Sequence, residues 1–467
     1  MAGRTHDGAA EMRAAAAIGA ARTLAGISRL QGGGATSLPG LAGLKIDPAL
    51  IRRRSHRLAG SIVVTGTNGK TTTSEFIGNA LELTGRPVIR NQAGSNLLRG
   101  IASTLALRVG RRRRGERKPW GVFEVDEATM PAACRELRPK VVVVTNLFRD
   151  QLDRYGELKR TAELLRTGLR SLPKSSIVLL NADDPLVAAL GKGLPQTVRY
   201  FGIEDTSRSK PRLPHAADSV SDPKTGELLT YDAVFVGHLG HYRGGALRRP
   251  NPHIRLTDLS PVRGRGYELT VALGRRTVTM SLRIPGLYNA YNALAALAAA
   301  EAAGVPPAKA GQAIAETAAV FGRQEAVEVE GRRVVIGLIK NPTGANEIIN
   351  TFAEDRAKKR FLVLINDNFA DGLDVSWLWD TDFEQLLPQA ETIAVGGTRA
   401  ADMALRLKYA GLDPEEIPIH DSIESALKAE LARTGPGDTL YVLPTYTAML
   451  TLRRELTRAG HVKHYLS

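Results

Sequence analysis

Residues 65–73, TGTNGKTTT, decide the fold. They follow the apolar run Ile62-Val63-Val64 and lead into a helical pattern in which Phe76, Ile77, Ala80 and Leu81 share one face, up to Gly85. An apolar strand, a glycine-bearing loop and a helix, in that order, bring backbone amides to an anion. Gly66 and Gly69 permit a tight turn and a close approach. Lys70 adds a mobile positive charge, Thr71 or Thr72 offers a hydroxyl to Mg²⁺, and the positive end of the helix faces the phosphates. The spacing is not the usual one, because Val64 stands where the common phosphate loop has its first glycine. Gly66, Thr67, Asn68, Gly69, Lys70, Thr71 and Thr72 are therefore the expected nucleotide cradle.

Outward from the loop, SIVVTG (61–66), GVFEVD (121–126), KVVVVTN (140–146) and SSIVLLN (175–181) each hold a short apolar run closed by polar or turn residues. Such runs suit buried parallel strands, and the stretches between them suit crossover helices. The pattern predicts an α/β fold with a central, doubly wound, mainly parallel sheet. From about 203 to 265 the texture turns polar and proline-bearing, which predicts an inserted subdomain of short strands and loops. YNALAALAAAEAAG (291–304) is an alanine-rich helix stopped by Gly304. A new alternation begins near 325 with RRVVIGLI, RFLVLIN, TIAVGG and TLYVLP, a C-terminal α/β domain. The expected division is a helical and linker extension over 1–55, a central domain over 56–322 and a C-terminal domain over 323–467, with a flexible break at 31–40.

Composition bounds the rest. Hydrophobic residues are 43% and charged residues 24% of the 467, ordinary for a globular protein. The single cysteine, Cys134, excludes an intramolecular disulfide and any multi-cysteine metal site. No apolar stretch reaches membrane-span length, and Arg22 cuts the run Ala14–Ala21 short of an export signal, so a cytoplasmic protein is expected. The net charge of +15 draws anions, at the inner face of the membrane among other places. GRRRRGERKPW (110–120) is read as a solvated loop between core strands. No aromatic residues interleave with its arginines, so no nucleic-acid partner is expected.

Two carboxylates close the next strand in FEVDEAT: Glu124 and Asp126, with Glu127 adjacent. At the carboxyl end of a strand they face the crevice where a nucleotide sits. A carboxylate there suits Mg²⁺, which takes few protein oxygens beside phosphates and water. An acidic helix start explains Asp126 and Glu127 as well, but Glu124 less well.

TGTNGKTTT, EVDEA, TNLFRDQLDRYGE, LNADDP, GLYNAYNALAA and FGRQE occur in the order found in Mur ligases, which the chain resembles from about 56 to 467. NLLRGI, NDNFADGLDVSWLWD and LPTYTAML narrow the resemblance to the MurT branch of that family. The resemblance implies ATP-dependent amidation of the α-carboxylate of D-glutamate in the lipid II stem peptide, through an acyl phosphate. It also implies a GatD-type glutaminase partner that supplies ammonia. It assigns Lys70 to the β/γ-phosphates, Thr71 and Glu124 to Mg²⁺, Arg323 to the ATP across the domain cleft, and Asn289, Asn292 and Asn341 to the surroundings of the nucleotide. An aspartate of the tryptophan-bearing segment would orient the partner's histidine, and Asp374 is preferred to Asp371.

The chain departs from the family in several places. The cysteines of a zinc ribbon are missing around GHLGHY, leaving His215, His238, His241 and His253, so no zinc site is expected. Gln151 replaces a family histidine, and neither Lys210 nor Lys224 is assignable as a carbamylated lysine. Only about 55 residues precede the loop, with no domain for a UDP-sugar, which favours a lipid-linked substrate. Two other readings are a stand-alone Mur-type ligase of the folylpolyglutamate synthase kind, needing no partner, and a nucleotide-gated scaffold without acyl-phosphate chemistry.

Overall fold

The chain enters its largest sheet through β1 (Gly60–Thr65), and the order of the following strands places the loop. In this computed structural model the described residues are 2–30, 37–91, 95–110, 115–150, 158–214, 217–262, 266–317, 323–353 and 357–462, of which 2–10, 29–30 and 323–324 are described by their backbone alone. After β1 come β2 (Val88–Arg90) and β3 (Trp120–Glu124), then β4 (Val141–Val144), β5 (Ile177–Asn181) and β6 (Thr197–Ile203). β7 (Thr230–Val236), β8 (Leu239–Gly244) and β9 (Leu247–Arg248) form a small separate sheet. β10 (Ile254–Val262), β11 (Gly266–Leu273) and β12 (Arg276–Leu282) return to the large one, whose order is β12-β11-β10-β6-β5-β4-β1-β3-β2.

β1 pairs in parallel with β3 on one side and β4 on the other. The chain therefore winds outward in one direction through β3 and β2 and in the other through β4, β5 and β6. β1 is the switch point, and ligands of open α/β sheets bind outside the carboxyl ends of the strands there. Successive residues of β1 point to opposite faces: Ile62 and Val64 pack with Phe76, Leu81 and the buried helix Leu287–Ala302, and Val63 packs with Ile101, Phe123 and Met130 on the other face. The run of alanines in Leu287–Ala302, buried from Ala293 to Ala300, lets that helix lie close to the sheet.

The second lobe is β13 (Arg323–Val329), β14 (Arg332–Gly337), β15 (Lys359–Leu364), β16 (Ala390–Gly396) and β17 (Thr439–Pro444), in the order β13-β14-β17-β15-β16. β14 to β17 are parallel neighbours, and β13 is an antiparallel edge closed by the Glu330-Gly331 turn.

Two expectations shift. The stretch 203–265 divides: the strands between Thr230 and Arg248 build the small sheet, but Ile254–Val262 is a strand of the large sheet, parallel to β6 and antiparallel to β11. The break expected over 31–40 does not extend over 38–40, because Leu38–Ile46 is a helix. Its Pro39 is tolerated in the first turn, and its Gly40 lies against another helix rather than loosening the chain. Residues 31–36 and 111–114, the latter most of the arginine run, lie outside the described residues.

Candidate functional site

The loop is fastened by backbone to the segment that follows β4. The Thr67 N–H donates to the Asn146 carbonyl (2.9 Å), and the Asn68 N–H to Asn146 Oδ1 (2.8 Å). The Asn68 carbonyl accepts from Thr145 Oγ1 (2.8 Å) and Asn146 Nδ2 (3.1 Å), while Thr67 Oγ1 donates to the Phe148 carbonyl (3.1 Å). Gly66 has φ +122 and Gly69 φ +87, the left-handed side that favours glycine. A Cβ on Gly66 would overlap Thr145 Oγ1, and one on Gly69 would overlap Asn292 Oδ1. The helix Lys70–Leu83 starts directly behind Gly69, with no side chain capping it, so its first amides face the loop mouth and suit an anion.

Under the loop lies a small network of opposite charges. The Lys70 ammonium is buried; it donates to the Gly66 and Thr67 carbonyls and stands 3.2 Å from Glu127 Oε1. Burial alone would lower its pKa, but Glu127, Glu124, Asp126 and Asp150 outweigh that and hold it above its ordinary value. The lysine therefore stays charged at neutral pH. Thr71 Oγ1 donates to Glu124 Oε2 at 2.8 Å. Glu124 is the last residue of β3, held by a reciprocal pair of 2.9 Å bonds between its backbone and the Asn91 side chain. Asp126 is past the strand end and caps the short turn Glu127–Thr129 by accepting from the Ala128 N–H.

Asn289 and Asn292 sit in the first turns of Leu287–Ala302 and are buried. Asn292 Nδ2 donates to Asn289 Oδ1 (3.0 Å), and Asn292 Oδ1 lies over Gly69 and 3.4 Å from Thr73 Oγ1. The pair braces the loop from behind.

The second lobe reaches the loop through two adjacent side chains. Asn341 and Asn68 exchange side-chain hydrogen bonds of 3.2 and 3.4 Å across the lobe boundary. Lys340 donates to the Thr67 carbonyl (3.4 Å) and pairs with Asp150. Beside them a cleft is lined by Asn68, Gly69, Phe148, Tyr288, Asn292 and Lys340. Arg323 opens β13, paired with Gly337, and its side chain is not among those described. Tyr446, from LPTYTAML, also faces this boundary: burial, then the charges of Glu124 and Asp371, raise its hydroxyl pKa.

A second cleft on the same boundary is lined by Arg149, Asp150, Lys340, Asp371, Asp374 and Trp377. Its two candidate aspartates differ. Asp371 is buried, accepts from the Thr447 N–H (2.7 Å) and hydroxyl at the start of the helix Tyr446–Arg458, and is raised above the usual carboxylate range by burial despite those bonds. Asp374 is exposed and accepts from the nearby Ser376 N–H (2.8 Å). Trp377 packs on the lobe's core, whereas Trp379 is 52% exposed and stands edge-on to Tyr409.

The remaining candidates are structural in their contacts. Asp184 caps the helix Pro185–Leu190, and Asp183 accepts from Arg249, Tyr291 and the Ile203 N–H. His238 is buried beside Asp184, His241 bonds the Ile203 carbonyl, and His253 accepts from the Tyr200 N–H. Lys210 approaches Glu347 at 3.4 Å, and Lys224 lies in an exposed turn. His215 and Gln151 fall outside the described residues. Burial pushes the Cys134 thiol up to about 12. Glu127, Asn146, Asp150 and Lys340 were not singled out as site residues from sequence, although Glu127 stands in EVDEA, Asn146 and Asp150 stand in TNLFRDQLDRYGE, and Lys340 directly precedes Asn341.

Among the described residues no helix is long and apolar enough to cross a membrane. Residues 64–232 match the Mur ligase middle domain, and residues 338–449 match the MurT ligase C-terminal family. The chain is 35% identical over 438 residues to the MurT subunit of lipid II isoglutaminyl synthase (glutamine-hydrolyzing) of Streptococcus pneumoniae, covering 92% of this chain and 94% of that one. It is 31% identical over 453 residues to the subunit of the same name from Staphylococcus aureus strain COL, with 96% and 99% covered. A solved MurF ligase from Thermotoga maritima in complex with ADP has the same fold, with a TM-score of 0.60 at 17% identity over 89% of this chain and 85% of that one.

Proposed function

The chain belongs to the MurT branch of the Mur ligase family, and from that premise we propose that it amidates the α-carboxylate of D-glutamate in the lipid II stem peptide at the expense of ATP. The observation that carries the reading is a site made by both lobes: a glycine loop over a charged lysine and a Thr71–Glu124 pair, met from the other side by Lys340 and Asn341.

A carboxylate is a poor electrophile because oxide is a poor leaving group. Transfer of the γ-phosphoryl group to a carboxylate oxygen breaks the bond between that phosphorus and the β–γ bridging oxygen and releases ADP. Ammonia then adds to the acyl carbon, and inorganic phosphate leaves with its pair of electrons and the former carboxylate oxygen. The proton lost by nitrogen passes to solvent or phosphate.

The residues suit those steps. The uncapped amides of Lys70–Leu83 and the Lys70 ammonium attract the β/γ-phosphates and stabilise charge as it builds on the leaving ADP. Glu127 holds the lysine head beneath the loop until phosphate competes for it. The Thr71 hydroxyl and Glu124 carboxylate are hard oxygen donors that fit Mg²⁺, which when bound neutralises phosphate charge. Gly66, Thr67, Asn68, Gly69 and Thr72 shape the cradle, and Asn289 and Asn292 keep it rigid. Lys340 and Asn341 close it from the second lobe, on which Arg323 also stands at the start of β13.

Ammonia comes from a GatD-type glutaminase bound to the second lobe. The exposed Asp374 orients that partner's histidine, and Asp371 holds the segment by capping Tyr446–Arg458. The test is reconstitution: the chain with a glutaminase subunit, lipid II, ATP and glutamine yields amidated lipid II and ADP in equal amounts. Ammonium at high concentration replaces glutamine and the partner. Transfer of a free amino acid to the substrate, with no need for either nitrogen source, would favour the stand-alone ligase instead.

A further inference from the structure

The helix Leu38–Ile46 is built inside out. Pro39, Gly40 and Gly43 are its buried residues, while Leu38, Leu41 and Ile46 are 56%, 40% and 38% exposed. Helices on a protein surface ordinarily turn their large apolar residues inward and their polar ones out. Here the packing enforces the inversion. A Cβ on Gly40 would overlap the Arg99 carbonyl in the first turn of the helix Leu98–Arg108, and the Gly40 N–H donates to Ser103 Oγ at 2.7 Å. A Cβ on Gly43 would press on Leu50. The glycine side is clamped, so Leu38 and Leu41 face out while Leu44 packs on the core. The adjoining helix Ala2–Leu30 adds Met12 and Ile27, 70% and 46% exposed.

The charge around this ridge is positive. Lys45 is exposed in the last turn of the same helix, Arg99 is exposed on the turn that Gly40 touches, and Arg13 and Arg22 are exposed on Ala2–Leu30. Of the nearby acids, Asp47 is buried against Arg53, Glu136 pairs with Arg52, and Glu11 is exposed. Leucines framed by lysine and arginine match the edge of an anionic bilayer, where apolar side chains enter the acyl boundary and cations stay among the headgroups.

We infer that Leu38–Ile46, backed by Ala2–Leu30, seats the protein on an acidic membrane surface. The inference rests on the proposed lipid-linked substrate, and the fold gives it a purpose. The helix Leu98–Arg108 that clamps Gly40 begins just after Asn96, whose carbonyl accepts from the Asp126 N–H two residues beyond Glu124. Seating the ridge on the bilayer holds the phosphoryl-transfer site beside the anchor of its acceptor.

The test is flotation of the full chain with vesicles of phosphatidylcholine, alone or mixed with phosphatidylglycerol. Binding is expected to the mixed vesicles and to weaken with salt. The triple variant Leu38→Ser/Leu41→Ser/Ile46→Ser should lose at least about tenfold in partitioning while melting at the parent temperature. Leu41→Trp should still bind, with its emission shifted to the blue on mixed vesicles. With the glutaminase, the triple variant should turn over lipid II in detergent micelles at the parent rate and slow when lipid II is embedded in mixed vesicles. The inference is overturned if the parent chain ignores mixed vesicles or the triple variant binds them equally well. It is also overturned if the triple variant splits a dimer seen by sedimentation velocity, since a second copy would then cover the ridge. Vesicle binding as expected with no amidated product would instead sink the proposed function and leave the docking surface standing.

Discussion

The two walls of the proposed nucleotide cleft are made in different ways. The central-lobe wall is mostly backbone: Gly66, Gly69 and the start of Lys70–Leu83, tied by short bonds to Thr145, Asn146 and Phe148. The second-lobe wall is side chains: Lys340 and Asn341 reach across to Thr67 and Asn68, some 270 positions away in sequence. A backbone wall is in place whenever its sheet is folded. A wall of two side chains on another sheet depends on how the lobes meet, so it suits control of when the site is complete.

The contrast can be broken or sharpened by substitution. The largest effect is expected from Lys70→Ala, which should lower amidation by at least about 10²–10³-fold with glutamine or ammonium alike, since charge stabilisation at the phosphates is lost. Next, Asp374→Asn should cut glutamine-driven turnover by about 10²-fold or more and leave ammonium-driven turnover intact. An equal loss with both nitrogen sources would remove Asp374 from the partner's side of the reaction. Lys340→Ala should cost about tenfold in kcat/KM, as for one charged hydrogen bond, with no change in melting temperature. A loss as deep as that of Lys70→Ala would mean the two walls do not divide the work as stated. The smallest effect is expected from Asp371→Asn, about 1 kcal/mol of stability through the weakened cap, with both nitrogen sources affected equally.

The same contrast explains what was legible in the sequence. β1, the loop and Lys70–Leu83 are neighbours in the chain, and their glycines and apolar period announce them. β13 was harder, because RQEAVEV opens on three polar residues and lies at a sheet edge, with little apolar run to announce a strand. Ile254–Val262 was placed in the insertion because its polar outward positions mask a strand that joins the large sheet through β6. Pro39 and Gly40 signal a break by composition, yet here they are what lets two helices touch, and only the partner helix explains them. Glu127 stands in the quoted EVDEA, but its pairing with Lys70 depends on how β3 ends, which periodicity does not give. Asn341 was picked out by resemblance, and its neighbour Lys340 was not, although both reach the loop.

The central claim is that the carboxylate of the lipid-linked acceptor is phosphorylated by a nucleotide held under this loop. The most direct measurement uses lipid II labelled with ¹⁸O in the α-carboxylate of its D-glutamate, turned over with ATP and ammonium by the purified chain. One label per turnover should appear in inorganic phosphate, and none with Lys70→Ala. Amidated product formed while the phosphate stays unlabelled would contradict the account.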